Sequence, residues 1–111
     1  MQYLLLIYDE EKRWSKGYDN GEIAEYRAFG KEFAPAIKGG NALQPTGTAT
    51  TVRVRNGKSL TTDGPFAETK EQLGGFYLVE ARDQKEAEAI AAKIPGARFG
   101  SIEVRPIMKF S

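Results

Sequence analysis

The chain contains no cysteine and no histidine. Without cysteine there is no disulfide, no thiolate metal site and no thiol nucleophile. Without histidine there is no Ser-His-Asp triad, no imidazole-ligated metal and no histidine general acid or base. Any catalysis falls to carboxylates, Tyr, Lys, Arg or hydroxyls. A surplus of one charge is missing too: 16 basic residues face 15 acidic ones, for a net charge of +1. Residues 1–55 carry 8 basic against 7 acidic side chains, and residues 56–111 carry 8 of each. This balance disfavours electrostatic binding to nucleic acid. Long hydrophobic runs are also lacking. The apolar stretch Tyr3 to Tyr8 spans six residues, too few for a signal peptide or a membrane span. The expectation is a cytoplasmic protein with no membrane partner.

What is present fits one small domain, residues 1–111, with 41% apolar and 28% charged residues. A chain of this length buries about 60–68% of its unfolded surface. Residues 2–8 are almost continuously apolar, which predicts a central strand buried on both faces. Residues 9–21 are polar and predict a loop. Ile23, Tyr26, Gly30, Phe33 and Ile37 follow a helical period and predict a helix over 22–38, capped by Asp19 or Asn20. Pro35 removes an N–H and clashes with the preceding turn, so the helix should kink or end near Phe33–Ala34, with Gly39–Gly40 as the latest stop.

Residues 49–62 alternate as a hairpin around Asn56-Gly57, a pair suited to two positive φ angles. Residues 73–80 predict another strand. Asp83 and Glu86 resemble a capping box, and Ala87, Ile90, Ala91 and Ile94 form the stripe of a second helix that Pro95-Gly96 stops. Residues 101–107 alternate as a last strand. The predicted order is β-α-β-β-β-α-β. It suggests an α+β, ferredoxin-like split βαβ fold with an inserted hairpin and both helices on one face. The two-sided apolar first strand then needs cover on its second face. A homodimer packed sheet to sheet supplies it.

The most unusual segment is Thr62 to Gly75, with Asp63, Glu68 and Glu71 among Gly64, Pro65 and Phe66. A carboxylate fixed on a rigid loop beside Phe66 can act as a general acid or base if it is desolvated. Alternatively, Asp63 only caps the following turn. Glu68 and Glu71 can share one face of a helical turn, but two carboxylates are few for a hard cation. Arg53, Arg55 and Arg105 can bind an anionic ligand or pair with Glu103 and other acids across the sheet. Gly74-Gly75 lacks the spacing of a phosphate loop. Trp14, Tyr18 and Tyr26 can line a pocket or pack a core.

The run DGPFAETKEQLGG, the FYLVE strand after it, the preceding TATTVRVRNGKSLTTDGPF and the GSIEVRP terminus resemble the YCII-related family in its DGPF-motif branch. The resemblance covers nearly the whole chain. It implies a dimeric α+β barrel in which two ferredoxin-like sheets pack face to face. The wider superfamily includes muconolactone isomerases, dehydrochlorinases and monooxygenases acting on small organic molecules. A His-Asp dyad is proposed for some members, but this chain has no histidine, and only Asp63 lies in a matching motif. Genes of the branch often neighbour extracytoplasmic-function sigma factors, which implies a regulatory protein as the alternative to an enzyme. The expected site is a ligand cleft near Asp63. Asp63 is the proton-transfer group, Arg53 or Arg105 holds an anion, and Phe66, Tyr8 and Tyr77 line the wall. No metal or cofactor is expected.

Overall fold

A computed structural model describes residues 1–110. The apolar segments form β1 (Gln2–Asp9), β5 (Gln72–Glu80) and β6 (Ser101–Pro106), joined in one sheet by β2 (Ile37–Ala42). The helices are α1 (Asn20–Glu32) and α2 (Gln84–Ala92), and β3 (Thr50–Arg55) and β4 (Lys58–Asp63) form a separate hairpin. The sheet order is β2-β5-β1-β6 with every neighbouring pair antiparallel. This is the ferredoxin-like α+β arrangement, with the hairpin inserted between β2 and β5.

Strand alternation sorts the two faces of the sheet. Tyr3 and Leu5 of β1 and Val79 of β5 point to the helices, where they meet Phe29 of α1 and Ala87, Ile90 and Ala91 of α2. Ile102 and Val104 pack on the same core, as their alternation predicts. The opposite face carries Leu4 and Leu6, paired in register with Leu78 and Phe76 of β5 and with Arg105 and Glu103 of β6. These apolar side chains are half-buried and have no second layer above them within the chain.

Local chemistry fixes the element ends. The Asp19 side chain accepts the Gly21 N–H at 2.7 Å and caps α1. Asp83 accepts the Glu86 N–H at 2.9 Å, while Glu86 accepts the Arg82 N–H at 2.8 Å, so the two side chains close the start of α2. Asn56 and Gly57 have φ of 52° and 74°, the two-residue turn expected of that pair.

Several expectations need correction. The first helix ends at Glu32 with Phe33 as its C-cap, close to the early end expected from Pro35, but the chain then turns into a strand, β2, that was not expected. That strand makes the order β-α-β-β-β-β-α-β. The α1 stripe is rotated: Glu22 and Phe29 are its buried residues, and Ile23 is only half-buried. Val52 and Val54 do not face the helices. They stand 60% and 61% exposed on a hairpin that projects from the body. The loop after β1 is not shapeless, because Glu11–Arg13 form a 3₁₀ turn.

The hairpin turn generates the first prediction. Gly57→Val forces a β-branched residue to positive φ and should cost the hairpin about 1–3 kcal/mol. Hydrogen exchange checks it: amides of 50–63 should exchange faster while those of β1 and β5 keep their protection. Unchanged exchange in the hairpin would remove the turn from this role.

Candidate functional site

The site is built on Arg13, which sits in the connection between β1 and α1. Its Nε donates to Asp9 Oδ2 at 2.6 Å. Its two terminal nitrogens donate to the two Glu22 oxygens at 2.8 and 3.0 Å. Asp9 ends β1 and Glu22 opens α1, and their side chains are only 7% and 4% exposed. The planar guanidinium suits this fork, which an ammonium does not. Phe99 closes the outer side, with its ring centroid 4.1 Å from the guanidinium carbon. The hydrogen bonds that Arg13 donates to Glu22, backed by Asp9, raise its pKa above the ordinary value although burial opposes this.

With both ends of that connection pinned, Trp14 and Tyr18 take fixed places. Their rings stack at 5.6 Å with an interplanar angle of 6°, and Tyr18 meets Tyr26 edge-on at 6.4 Å. Trp14 also lies over β5, where a Cβ on Gly74 would come within 3.2 Å of its ring. Between these aromatics and the β2–β5 side of the sheet lies a cavity of about 370 Å³. Tyr18 and Tyr26 form its helix-side wall and Tyr77 its sheet-side wall, with Ile7 and Ile23 between them. At Gly40 the strands approach so closely that a Cβ would lie 2.6 Å from the Phe76 carbonyl oxygen. Arg27 is the one charged residue lining the cavity.

Burial raises the pKa of all three tyrosines above the ordinary 10. For Tyr18 the nearby Glu22 charge adds to it, and for Tyr26 the Gly96 amide partly opposes it. The phenols stay protonated at neutral pH, and those of Tyr18 and Tyr77 can donate to an acceptor in the cavity. They are poor bases. The two buried carboxylates are both engaged by Arg13. Among the described residues no cluster of acidic side chains is arranged to hold a metal ion.

A family model described as the YCII-related domain matches residues 1–111. The chain belongs to the YCII-related family. An uncharacterised protein of Rhizobium meliloti is 40% identical over 114 aligned positions, covering 96% of this chain and 92% of that protein. Among solved structures, the 5-chloro-2-hydroxyhydroquinone dehydrochlorinase of Burkholderia phenoliruptrix, in complex with 2,5-dihydroxybenzoquinone, superposes with a TM-score of 0.59. The match covers 97% of this chain and 94% of that one at 16% identity, so it speaks for the fold alone.

In this YCII-related chain the residues singled out from sequence are scattered. Tyr77 lines the cavity. Tyr8 lies on the opposite face of the sheet, its hydroxyl 3.4 Å from Glu103 Oε1, and Arg105 shares that face. Arg53 and Asp63 belong to the hairpin and are exposed. Phe66 is 81% exposed and packs against nothing that would desolvate Asp63. Among the described residues the Asp63 side chain accepts no hydrogen bond, and the Gly64 N–H goes to Ala49 O at 2.7 Å rather than to it. A single chain thus does not gather Asp63, Arg53, Arg105, Tyr8 and Tyr77 into one cleft.

Sequence reasoning weighed Trp14, Tyr18 and Tyr26 as pocket or core, and the structure divides them. Trp14 is buried, while Tyr18 and Tyr26 face the cavity. It missed Asp9 and Arg13, and it read Glu22 only as a charge at the start of the helix, not as a partner of Arg13. It also missed Glu11, whose carboxylate accepts the Thr46 N–H at 2.6 Å and the Thr46 hydroxyl at 2.8 Å and so ties the hairpin's base to the body.

Two measurements test this account. Arg13→Ala leaves two carboxylates buried without a partner and should destabilise the fold by about 3–5 kcal/mol, read as a lower urea midpoint. A loss below about 1 kcal/mol would mean that Asp9 and Glu22 find water instead. The tyrosines set an alkaline limit. An unfolded chain releases their protons near pH 10, whereas the folded chain retains them longer. Above that pH the unfolded state binds fewer protons, so stability should fall as pH rises, with no contribution from these groups below it. A phenolate absorbance titration should show a late phase that Tyr26→Phe diminishes.

Proposed function

We propose that this YCII-related protein binds a small organic ligand in the cavity between α1 and the β2–β5 side of the sheet. One observation carries the reading: the aromatic-lined cavity of about 370 Å³, held open on a pinned frame. That volume falls at the small end of ligand sites, roughly 300–1,000 Å³. Its lining follows their usual pattern of apolar and aromatic walls with a few polar groups. The dehydrochlorinase that shares the fold holds a small oxygenated ring, which supports a ligand of similar size here. Thermal shift with small phenols, lactones and carboxylates tests the proposal. Binders should lose affinity in Ile23→Trp, which fills the space. Equal shifts in the parent and the filled variant would move the site elsewhere.

Proton transfer by Asp63 is the catalytic form of this proposal. Asp63 lies on the hairpin, so the ligand would have to reach the arm as well as the cavity. Asp63→Asn should then abolish turnover and leave stability unchanged. A variant that behaves as the parent in every ligand assay would confine the protein to binding.

We also propose that the protein is a homodimer. The chain is a slab of 46 × 43 × 19 Å with a radius of gyration of 15.8 Å, against about 13 Å for a compact domain near this size. One sheet face has no second layer. The hairpin leaves Val52, Val54 and Leu60 in water, and Met108 and Phe110 follow on the terminal segment. A lone two-stranded hairpin is marginal in water, and apolar surface of this extent marks an interface. A sheet-to-sheet pairing would bury roughly 1,600 Å². Light scattering at micromolar concentration should return twice the 12.3 kDa chain mass. A stably folded monomer would refute the pairing.

A further inference from the structure

Taking the cavity as the ligand site, we infer that it selects a single planar ring bearing an anionic oxygen group, with Arg27 as the residue that chooses the charge. The inference rests on what lines the cavity and what does not. Among the described residues no carboxylate lines it, and Arg27 is its one charge. Arg27 takes part in none of the ion pairs among the described residues, so none of their carboxylates neutralises its guanidinium. It lies on α1 one residue after Tyr26, at the exposed end of the lining, where it can meet a substituent that projects from the cavity.

The inner walls prescribe the rest of the ligand. Tyr18, Tyr26 and Tyr77 offer faces and edges against which a ring can pack. Tyr18 and Tyr77 are neutral phenols able to donate to a ring hydroxyl or carbonyl oxygen, whereas the Tyr26 hydroxyl is engaged by the Gly96 backbone. The space of about 370 Å³ is the size of one substituted ring. A cationic ligand has no counter-charge here and meets Arg27 at the entrance. A forked guanidinium binds a planar carboxylate or a delocalised enolate with two parallel hydrogen bonds, which a neutral ring cannot match.

Calorimetry on the full chain at low ionic strength tests the inference with three probes: 4-hydroxybenzoate, hydroquinone and tyramine. 4-Hydroxybenzoate should bind roughly tenfold more tightly than hydroquinone, and tyramine more weakly than either. Arg27→Gln should bring the affinities for 4-hydroxybenzoate and hydroquinone within about threefold by weakening only the acid, and added salt should do the same to the parent. Tyr77→Phe should weaken hydroquinone and 4-hydroxybenzoate alike. Emission from Trp14, the single tryptophan, which stacks on Tyr18, gives an independent readout of occupancy. If the parent binds both rings equally, or if Arg27→Gln keeps the preference, charge selection by Arg27 is overturned while the cavity stands. If no probe binds and Trp14 does not respond, the cavity itself is overturned as the ligand site.

Discussion

The fork of Arg13 across Asp9 and Glu22 is the constraint on which the working part of this molecule hangs. It joins the last residue of β1 to the first turn of α1 across an irregular connection that has little apolar surface of its own. Two buried carboxylates without a cation would be driven to open the structure to water. With Arg13 in place they become the reason the connection has one shape. Trp14 can then lie flat over Gly74, Tyr18 can stack on Trp14, and the wall of the cavity follows. A purely apolar clasp could supply comparable stability, but not the direction of the guanidinium plane that sets where residues 14–18 run.

The rest of the chain is divided between a satisfied half and an unsatisfied one. The helix side of the sheet is filled by Tyr3, Leu5, Phe29, Val79 and the small residues of α2, and no buried side-chain polar atom among the described residues lacks a partner. The other side, the hairpin and the terminal segment leave large apolar side chains in water. Glu11, Thr46 and Gln72 anchor the hairpin's base through hydrogen bonds, so the arm is aimed although its tip touches nothing. An aimed arm with a bare apolar face is costly for a monomer and useful for a pair of chains.

How far the sequence could be read follows the range of the forces. The turn at Asn56-Gly57, the cap at Asp83 and the stripe of α2 depend on neighbours a few residues away, and they are where local chemistry predicts them. β2 was not legible, because Ile37-Lys38-Gly39-Gly40-Asn41-Ala42 has little strand propensity. It is a strand because β5 offers it a ladder and Gly40 lets the backbones approach. The Arg13 fork was invisible for a related reason. It joins charges four and nine positions away through a turn with no period, and charged residues in such a stretch read as solvated. At Asp63 the motif announced a fixed backbone, but the direction of the arm belongs to the tertiary structure.

The absence of histidine and cysteine acquires its meaning only inside this geometry. Without imidazole or thiol, proton transfer near neutral pH would fall to carboxylates. Yet the two buried carboxylates beside the cavity are occupied in holding the frame, and freeing either would dismantle the wall that a ligand needs. Phenols are left, and burial makes them firm donors and reluctant bases. A cavity furnished with donors and one cation is better matched to holding an electron-rich, oxygenated ring than to taking a proton from it. A base, if the protein has one, must reach the ligand from outside the cavity, because every group that lines it holds a charge or a proton rather than taking one.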